Sequence, residues 1–283
     1  MKKRRLFIIL SLSFLVVFIF TLSSPLFTLK KVSLVFYDDN NCIVSTKNNK
    51  VYNTSEKINK IVSSAEFNYG TSLFTFEKDV YINRIDNKNP YLKLLNAQVV
   101  FPNKLKLSVK ERVPCCYILS SKALFLLDND YKILEILPIS EALNYKNLVQ
   151  IKIQNKNGVE ISFFNFFYIS ESAFESGQYL SENNLILTNF KNIFKVIETF
   201  NVLKDSISFI AISENLNENM DLLFYTNSNL GIMLKVQNAL DNLNSKLSKL
   251  FCALETLYYK EKIKTTYGTL TINESLNCSW NNL

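Results

Sequence analysis

The chain has 283 residues, 48% of them apolar and 20% charged, a balance that suits a folded protein and not a disordered one. It holds no histidine, which excludes Ser-His-Asp and Cys-His nucleophiles, His-ligated zinc and a charge switch near neutral pH. Its 5 glycines are too few for a phosphate-cradling loop. The formal charge of +7 owes more than half to Lys2, Lys3, Arg4 and Arg5, so no clustered basic face for nucleic acid is found downstream.

Leu6 to Leu29 contains no charged residue. About 20 helical residues cross a bilayer core of roughly 30 Å, so residues 6–28 are predicted to be a transmembrane helix behind a cytoplasmic basic tail, residues 1–5. Four basic residues precede the span and two, Lys30 and Lys31, follow it, which places the N-terminus in the cytoplasm and the bulk outside. A cleaved signal peptide would carry a shorter apolar core ending at a small-x-small site, for which Thr21 and Ser23 are weak candidates; the length of the run favours an uncleaved anchor.

After the span, 29–37 reads as a strand and 38–50 as a polar loop. Thr54 or Ser55 can cap a helix running to about Phe67, with Ile58, Ile61, Val62 and Ala65 at helical spacing. Tyr69-Gly70-Thr71 breaks the chain, and a second helix is predicted over 77–86. Ala97, Val99 and Phe101 then alternate with polar and apolar neighbours, Pro102-Asn103 supplies a turn, and Lys104 to Lys110 alternates strictly. The pattern predicts a hairpin that buries Leu105, Leu107 and Val109 and wets Lys104, Lys106 and Lys110.

Short strands are expected over 116–119, 123–127, 132–136, 148–153 and 159–167, a helix over 187–201, and strands over 207–213 and 221–225. The run with five aromatics, Phe163 to Tyr168, reads as a buried strand, with a partner patch as the other possibility. Residues 231–262 read as one amphipathic helix, because Val236, Leu240, Leu243, Leu247, Leu250, Leu254 and Leu257 repeat at 4-3 spacing. That spacing suits a coiled-coil partner and equally a helix laying an apolar stripe on a sheet; the second is preferred. Residues 267–273 form the last predicted strand, followed by a polar tail. The five cysteines, Cys42, Cys115, Cys116, Cys252 and Cys278, are odd in number and hold no C-x-x-C, so neither a required disulfide nor a metal site is expected.

At the hairpin a resemblance emerges. Phe101-Pro102-Asn103-Lys104-Leu105-Lys106-Leu107-Ser108-Val109-Lys110-Glu111-Arg112-Val113-Pro114 resembles the F-P-N-x-L-x-[IL]-x-[VI]-x-E-R-x-P signature of the FtsQ/DivIB family of bacterial division proteins. Gly70-Thr71-Ser72-Leu73-Phe74 is similar to the family's G-x-x-[LI]-F element, Asn89-Pro90-Tyr91 and Ala97-Gln98-Val99 to its approach to the hairpin, and Leu126-Leu127-Asp128 to its L-[LIV]-D. The motifs cover roughly residues 28–135; beyond them only the plan matches. Tyr37-Asp38 stands where a glycine often ends the first strand, and Tyr131 where one commonly follows L-[LIV]-D.

The resemblance implies an α+β protein: one N-terminal transmembrane helix, a POTRA domain (β-α-α-β-β) at 29–112, a mixed β-sheet domain with flanking helices at 113–275, and a tail at 276–283. It implies a non-catalytic divisome scaffold at the septal cytoplasmic membrane, without cofactor, nucleic acid or small-molecule substrate. Such a scaffold links early division components to septal peptidoglycan synthesis, with partners resembling FtsB/DivIC and FtsL and septal synthase components. It further implies a partner-binding edge strand, which by position in the plan is Tyr267, Thr269, Leu270, Thr271 and Ile272, and an interdomain elbow at Glu111, Arg112 and Pro114, with Arg112 reaching a carbonyl or carboxylate. Two other classes stand beside this one. An anchored cell-wall enzyme would use paired carboxylates, for which Asp38-Asp39 and Asp128/Asp130 are nominal candidates on turn-like stretches. A POTRA subunit of a secretion or outer-membrane assembly machine would bring more repeats or a long barrel.

Overall fold

The computed structural model describes residues 11–14, 24–38, 40–45, 48, 50–167, 170–180, 193–197, 199–200, 203, 206–214, 220–227, 230–259 and 267–282. The chain divides into two compact units, Met1–Arg112 and Val113–Leu283. Both mix helices and sheet, and the class is α+β. No helix among the described residues is long and apolar enough to cross a membrane. Of the predicted span only residues 11–14, which are helical, and 24–28 are described; contrary to the expectation of a helix to 28, Pro25–Phe27 is a 3-10 turn and Thr28 is extended and bridged to Ser72, and the rest lies outside the described residues.

In the first unit, β1 (Lys31–Tyr37) runs parallel to β4 (Lys104–Glu111), in register from Lys31↔Lys104 to Tyr37↔Lys110. A parallel pair needs a long crossover, and two helices supply it: α1 (Ser55–Ser64) and α2 (Lys78–Lys88). Thr54 is the N-cap of α1, its side chain accepting from the Lys57 amide at 3.3 Å. The helix stops short of Phe67 because Glu66 takes a left-handed φ of 54°. β3 (Leu92–Val100) returns antiparallel to β4, and the short β2 (Ile43–Val44) pairs with β1, so the sheet order is β2-β1-β4-β3. Leu105, Leu107 and Val109 are buried together with Phe36, Ile61, Ala65, Ile85 and Leu92. Burying each large apolar side chain contributes about 1.5–3 kcal/mol.

Among the described residues the second unit is built on one ten-stranded sheet. β5 (Cys116–Leu119), β6 (Ala123–Leu127) and β7 (Ile133–Pro138) form a meander; β8 (Val149–Gln154) then lies parallel to β5 on its other side, with the short β9 (Glu160–Ile161) attached. After α3 (Phe163–Phe166) and α4 (Ile193–Ile197), β10 (Ile207–Glu214) joins β8 in parallel and β11 (Met220–Thr226) and β12 (Ile232–Val236) continue antiparallel. The crossover helix α5 (Leu243–Tyr259) leads to β13 (Gly268–Ile272), parallel to β12, and β14 (Cys278–Asn282) closes the order antiparallel to β13. One face of the sheet carries the large core under α3, α4 and α5; the other carries a smaller cluster of Tyr117, Leu124 and Leu126 beside a 3-10 segment, Ile139–Tyr145.

Several expectations are corrected. Residues 159–167 are not one strand: β9 ends at Ile161, Ser162 caps a helical turn by accepting from the Asn165 amide, and Phe163, Phe164 and Phe167 are buried in the core; Tyr168 lies outside the described residues. Residues 231–262 are not one helix. Ile232–Val236 is a strand whose buried and half-buried residues alternate, and Asn238 and Asn242 both take positive φ before α5 starts. Leu243, Leu247, Leu250 and Leu254 are buried against this unit's own core, so the 4-3 stripe packs internally. The expected polar tail, 276–283, contains the strand β14. Of the predicted helix 187–201, residues 193–197 are helical and 187–192 lie outside the described residues.

Candidate functional site

Glu111 and Arg112 are neighbours at the end of β4, so their side chains leave on opposite faces and do not meet each other. The Glu111 carboxylate accepts from the backbone amides of Lys50, at 2.7 Å, and Val51, which pins the loop ahead of α1. Tyr52, next in that loop, is buried against Phe36; burial, then the Glu111 charge, pushes its phenol pKa up. Arg112 is 6% exposed. Its Nε donates to the Leu92 carbonyl at 3.1 Å, its Nη2 lies 3.4 Å from Asp86 Oδ1, and its amide donates to the Tyr91 carbonyl at 2.7 Å. Both charged side chains therefore fasten the first unit: Glu111 holds the 50–51 loop, while Arg112 joins α2 to the start of β3. Pro114 lies in residues 112–115, which carry no regular secondary structure.

The strand proposed for partner binding is not an edge. β13, with Thr269, Leu270, Thr271 and Ile272, is hydrogen-bonded to β12 on one side and β14 on the other, and Tyr267 precedes it with an exposed ring. Among the described residues the outermost strand at this end is β14, held in register from Gly268↔Asn282 to Ile272↔Cys278. Its Trp280 packs on the large core, while Ser279 and Asn281 are exposed. Gly268 is required by this contact: a Cβ there would come within 2.4 Å of the Trp280 ring and 2.6 Å of the Asn281 carbonyl oxygen. In a strand, half of the N–H and C=O groups point away from the paired neighbour, so β14 presents a row of them outward. At the other end of the sheet the first turn of β7 is already covered: Ile133 exchanges main-chain bonds with Gln178 and Gly177, and Leu180 donates to the Tyr131 carbonyl.

Two of the nominal catalytic carboxylates, Asp38 and Asp128, serve turns. Asp128 is buried and its Oδ1 accepts from the amides of Asp130 and Lys132, both at 2.9 Å. Asp38 Oδ1 accepts from the amides of Asn40 and Cys42, and Asp39 lies outside the described residues. A groove of about 600 Å³ opens beside β6 between Lys122, Ser162 and Ser172; its Phe125, Phe164 and Phe174 floor is buried, and Glu171 is bonded to the Ser120 hydroxyl. All five cysteines are free thiols. Burial, then the neighbouring Cys115, pushes the Cys116 thiol pKa up, which keeps it protonated and unreactive. Among the described residues no group of three or more His, Cys, Asp or Glu could hold a metal ion.

Sequence reasoning missed β14, whose Cys-Ser-Trp-Asn-Asn has little strand propensity. Two signals could have found it: the lone tryptophan in an otherwise polar stretch, and Asn273 to Asn277, a turn in which Asn277 donates to the Asn273 side chain at 2.9 Å.

No family model matches the chain. Over 225 residues it is 30% identical to the cell division protein DivIB of Clostridium tetani, an alignment spanning 78% of this chain and 71% of that protein. Over 119 residues it is 27% identical to the cell division protein DivIB of Clostridium acetobutylicum, spanning 42% of this chain and 46% of that one.

Proposed function

The chain belongs to the FtsQ/DivIB family of cell division proteins, and from that premise we propose that it is a non-catalytic scaffold. In this reading residues 6–28 anchor it in the cytoplasmic membrane, the first unit is a POTRA domain, and the second unit binds small bitopic division proteins resembling FtsB/DivIC and FtsL outside the membrane. Those contacts connect early division components to septal peptidoglycan synthesis and its synthases. The turn roles of Asp38 and Asp128 support a protein that works by contact and not by chemistry.

The observation that carries the reading is the outer edge of β14. A partner segment laid along Cys278–Asn282 would gain main-chain hydrogen bonds from the outward groups and side-chain selectivity from its own alternation. The interaction belongs to β14 and not to the enclosed β13. The test is a photo-crosslinking residue placed at exposed Asn281 in the full chain in dividing cells, with exposed Val159 as the control position. The expected result is an adduct with a small bitopic partner from Asn281 only. Adducts from Val159 with none from Asn281 would move the interface off this edge.

A further inference from the structure

The family-like motifs of the first unit bring together three phenylalanines that the scaffold reading leaves unused. Phe101 opens the F-P-N turn, Phe74 closes the G-T-S-L-F element, and Phe27 lies near the end of the charge-free run Leu6–Leu29. Their rings form a triangle with centroids 5.4 Å (Phe27–Phe74), 5.2 Å (Phe74–Phe101) and 6.0 Å (Phe27–Phe101) apart. This cluster is not core: Phe74 is 46% exposed, Phe101 53%, and the adjoining Leu26 61%. An apolar patch of this kind marks a surface that meets protein or lipid.

Three features say which. The first is continuity. The last residues of the charge-free segment enter the patch directly, through the 3-10 turn Pro25–Phe27. Main-chain bonds then lock it there: Leu73 donates to the Phe27 carbonyl at 2.8 Å, Leu29 to Thr71 at 2.9 Å, Gly70 to Leu29 at 2.9 Å, and Lys30 to Asn103 at 2.9 Å. The point where the apolar segment ends and the aromatic triangle are thus parts of one rigid surface. The second is charge. Lys30, Lys31 and Lys104 border the patch, with Lys31 and Lys104 paired across β1 and β4, and residues 24–31, 70–76 and 98–106 contain no carboxylate. The third is chemistry. Aromatic rings backed by lysines suit the headgroup boundary of a bilayer, where rings sit at the acyl margin and ammonium groups reach lipid phosphates.

We propose that Leu26, Phe27, Phe74 and Phe101 insert into the outer-leaflet interface of the membrane that the charge-free run ahead of Pro25 spans, with Lys30, Lys31 and Lys104 on anionic headgroups. This rests on the anchor reading above. Its consequence is that the first unit sits against the bilayer at a fixed tilt and does not swing on a tether.

The test uses the full chain reconstituted in vesicles of phosphatidylglycerol and phosphatidylethanolamine, with and without phosphatidylcholine brominated near the carbonyl end of its acyl chains and, in parallel samples that report on position 14, near their middle. Phe101→Trp and Phe74→Trp report on the patch, Phe14→Trp on the span, and Val80→Trp, on exposed α2, is the control; native Trp280 gives a constant background. The emission added at 101 and at 74 is expected to fall by roughly half with the brominated lipid, the added emission at 80 staying unchanged. Quenching at 14 with none at 101 or 74 overturns the docking and leaves the patch to a protein partner. No quenching at 14 overturns the anchor reading itself, and the docking with it.

Discussion

At Arg112 a guanidinium has left water, with Nε on the Leu92 carbonyl and Nη2 near Asp86, whose own side chain keeps 21% of its exposure. Removing one partner of a buried ion pair costs about 3–5 kcal/mol, and the access of Asp86 to solvent softens this. Arg112→Ala is therefore expected to destabilise the first unit by about 2–4 kcal/mol, and Arg112→Lys, which keeps the charge but loses the fork, by about half as much. Urea titrations followed by far-UV circular dichroism check both; a loss under about 0.5 kcal/mol for alanine would mean that the latch is ornamental. Tyr131 shows the opposite economy. It stands where the family often has glycine, and its φ of 59° is the conformation glycine would adopt freely. Its side chain, 3% exposed and edge-on to Phe194 at 5.9 Å, offsets that backbone cost with core packing.

Among the elements, β14 depends on what β13 leaves out. Gly268→Ala places a methyl against the Trp280 ring and, less forgivingly, against the Asn281 carbonyl, which is backbone. Overpacking of this kind costs typically 1–3 kcal/mol, and it falls on the β13–β14 pair. The expected outcome is faster hydrogen exchange at the amides of residues 278–282, with those of β5 and β6 unchanged; unaltered protection in β14 would show that the strand can shift outward without loss. The strands β5 and β6 were legible in the sequence because turn residues bracket short apolar runs, and the hairpin because lysine and leucine alternate. The aromatic run 163–167 was not, since a string of phenylalanines has no period and carries strand propensity, while the deciding feature is the single cap at Ser162. β12 was hidden by coincidence: Val236 lies seven residues before Leu243, so a strand position extended the heptad register. Gly231 at a φ of 62° and the two left-handed asparagines were the stop signals, but asparagine is so abundant in this chain that each one carries little information. The site was legible in part: the Glu-Arg pair and the strand at 267–273 stood out, whereas which strand is outermost depends on a pairing no local pattern encodes.

For the whole molecule, the core residues fall into separate sets: Phe36, Ile61, Ile85 and Leu107 belong to one, Phe125, Phe224, Leu250 and Leu254 to another, and the division lies between Arg112 and Val113. A unit with its own core unfolds as its own cooperative step. The chain supplies a reporter for only one of them, because its single tryptophan, Trp280, sits in β14 of the second unit. Leu250, fully buried on α5, loses about 2–5 kcal/mol of stability on truncation to alanine. Leu250→Ala is therefore expected to move the Trp280 fluorescence transition to lower denaturant, with one phase of the circular-dichroism trace moving alongside it. Arg112→Ala is expected to move the other circular-dichroism phase and leave the Trp280 midpoint in place. If Arg112→Ala shifts the tryptophan midpoint as far as it shifts the dichroism, the two units fold as one cooperative body. In that case a perturbation in the first unit would reach β14 in the second; with independent units, β14 keeps its stability when the first unit is perturbed.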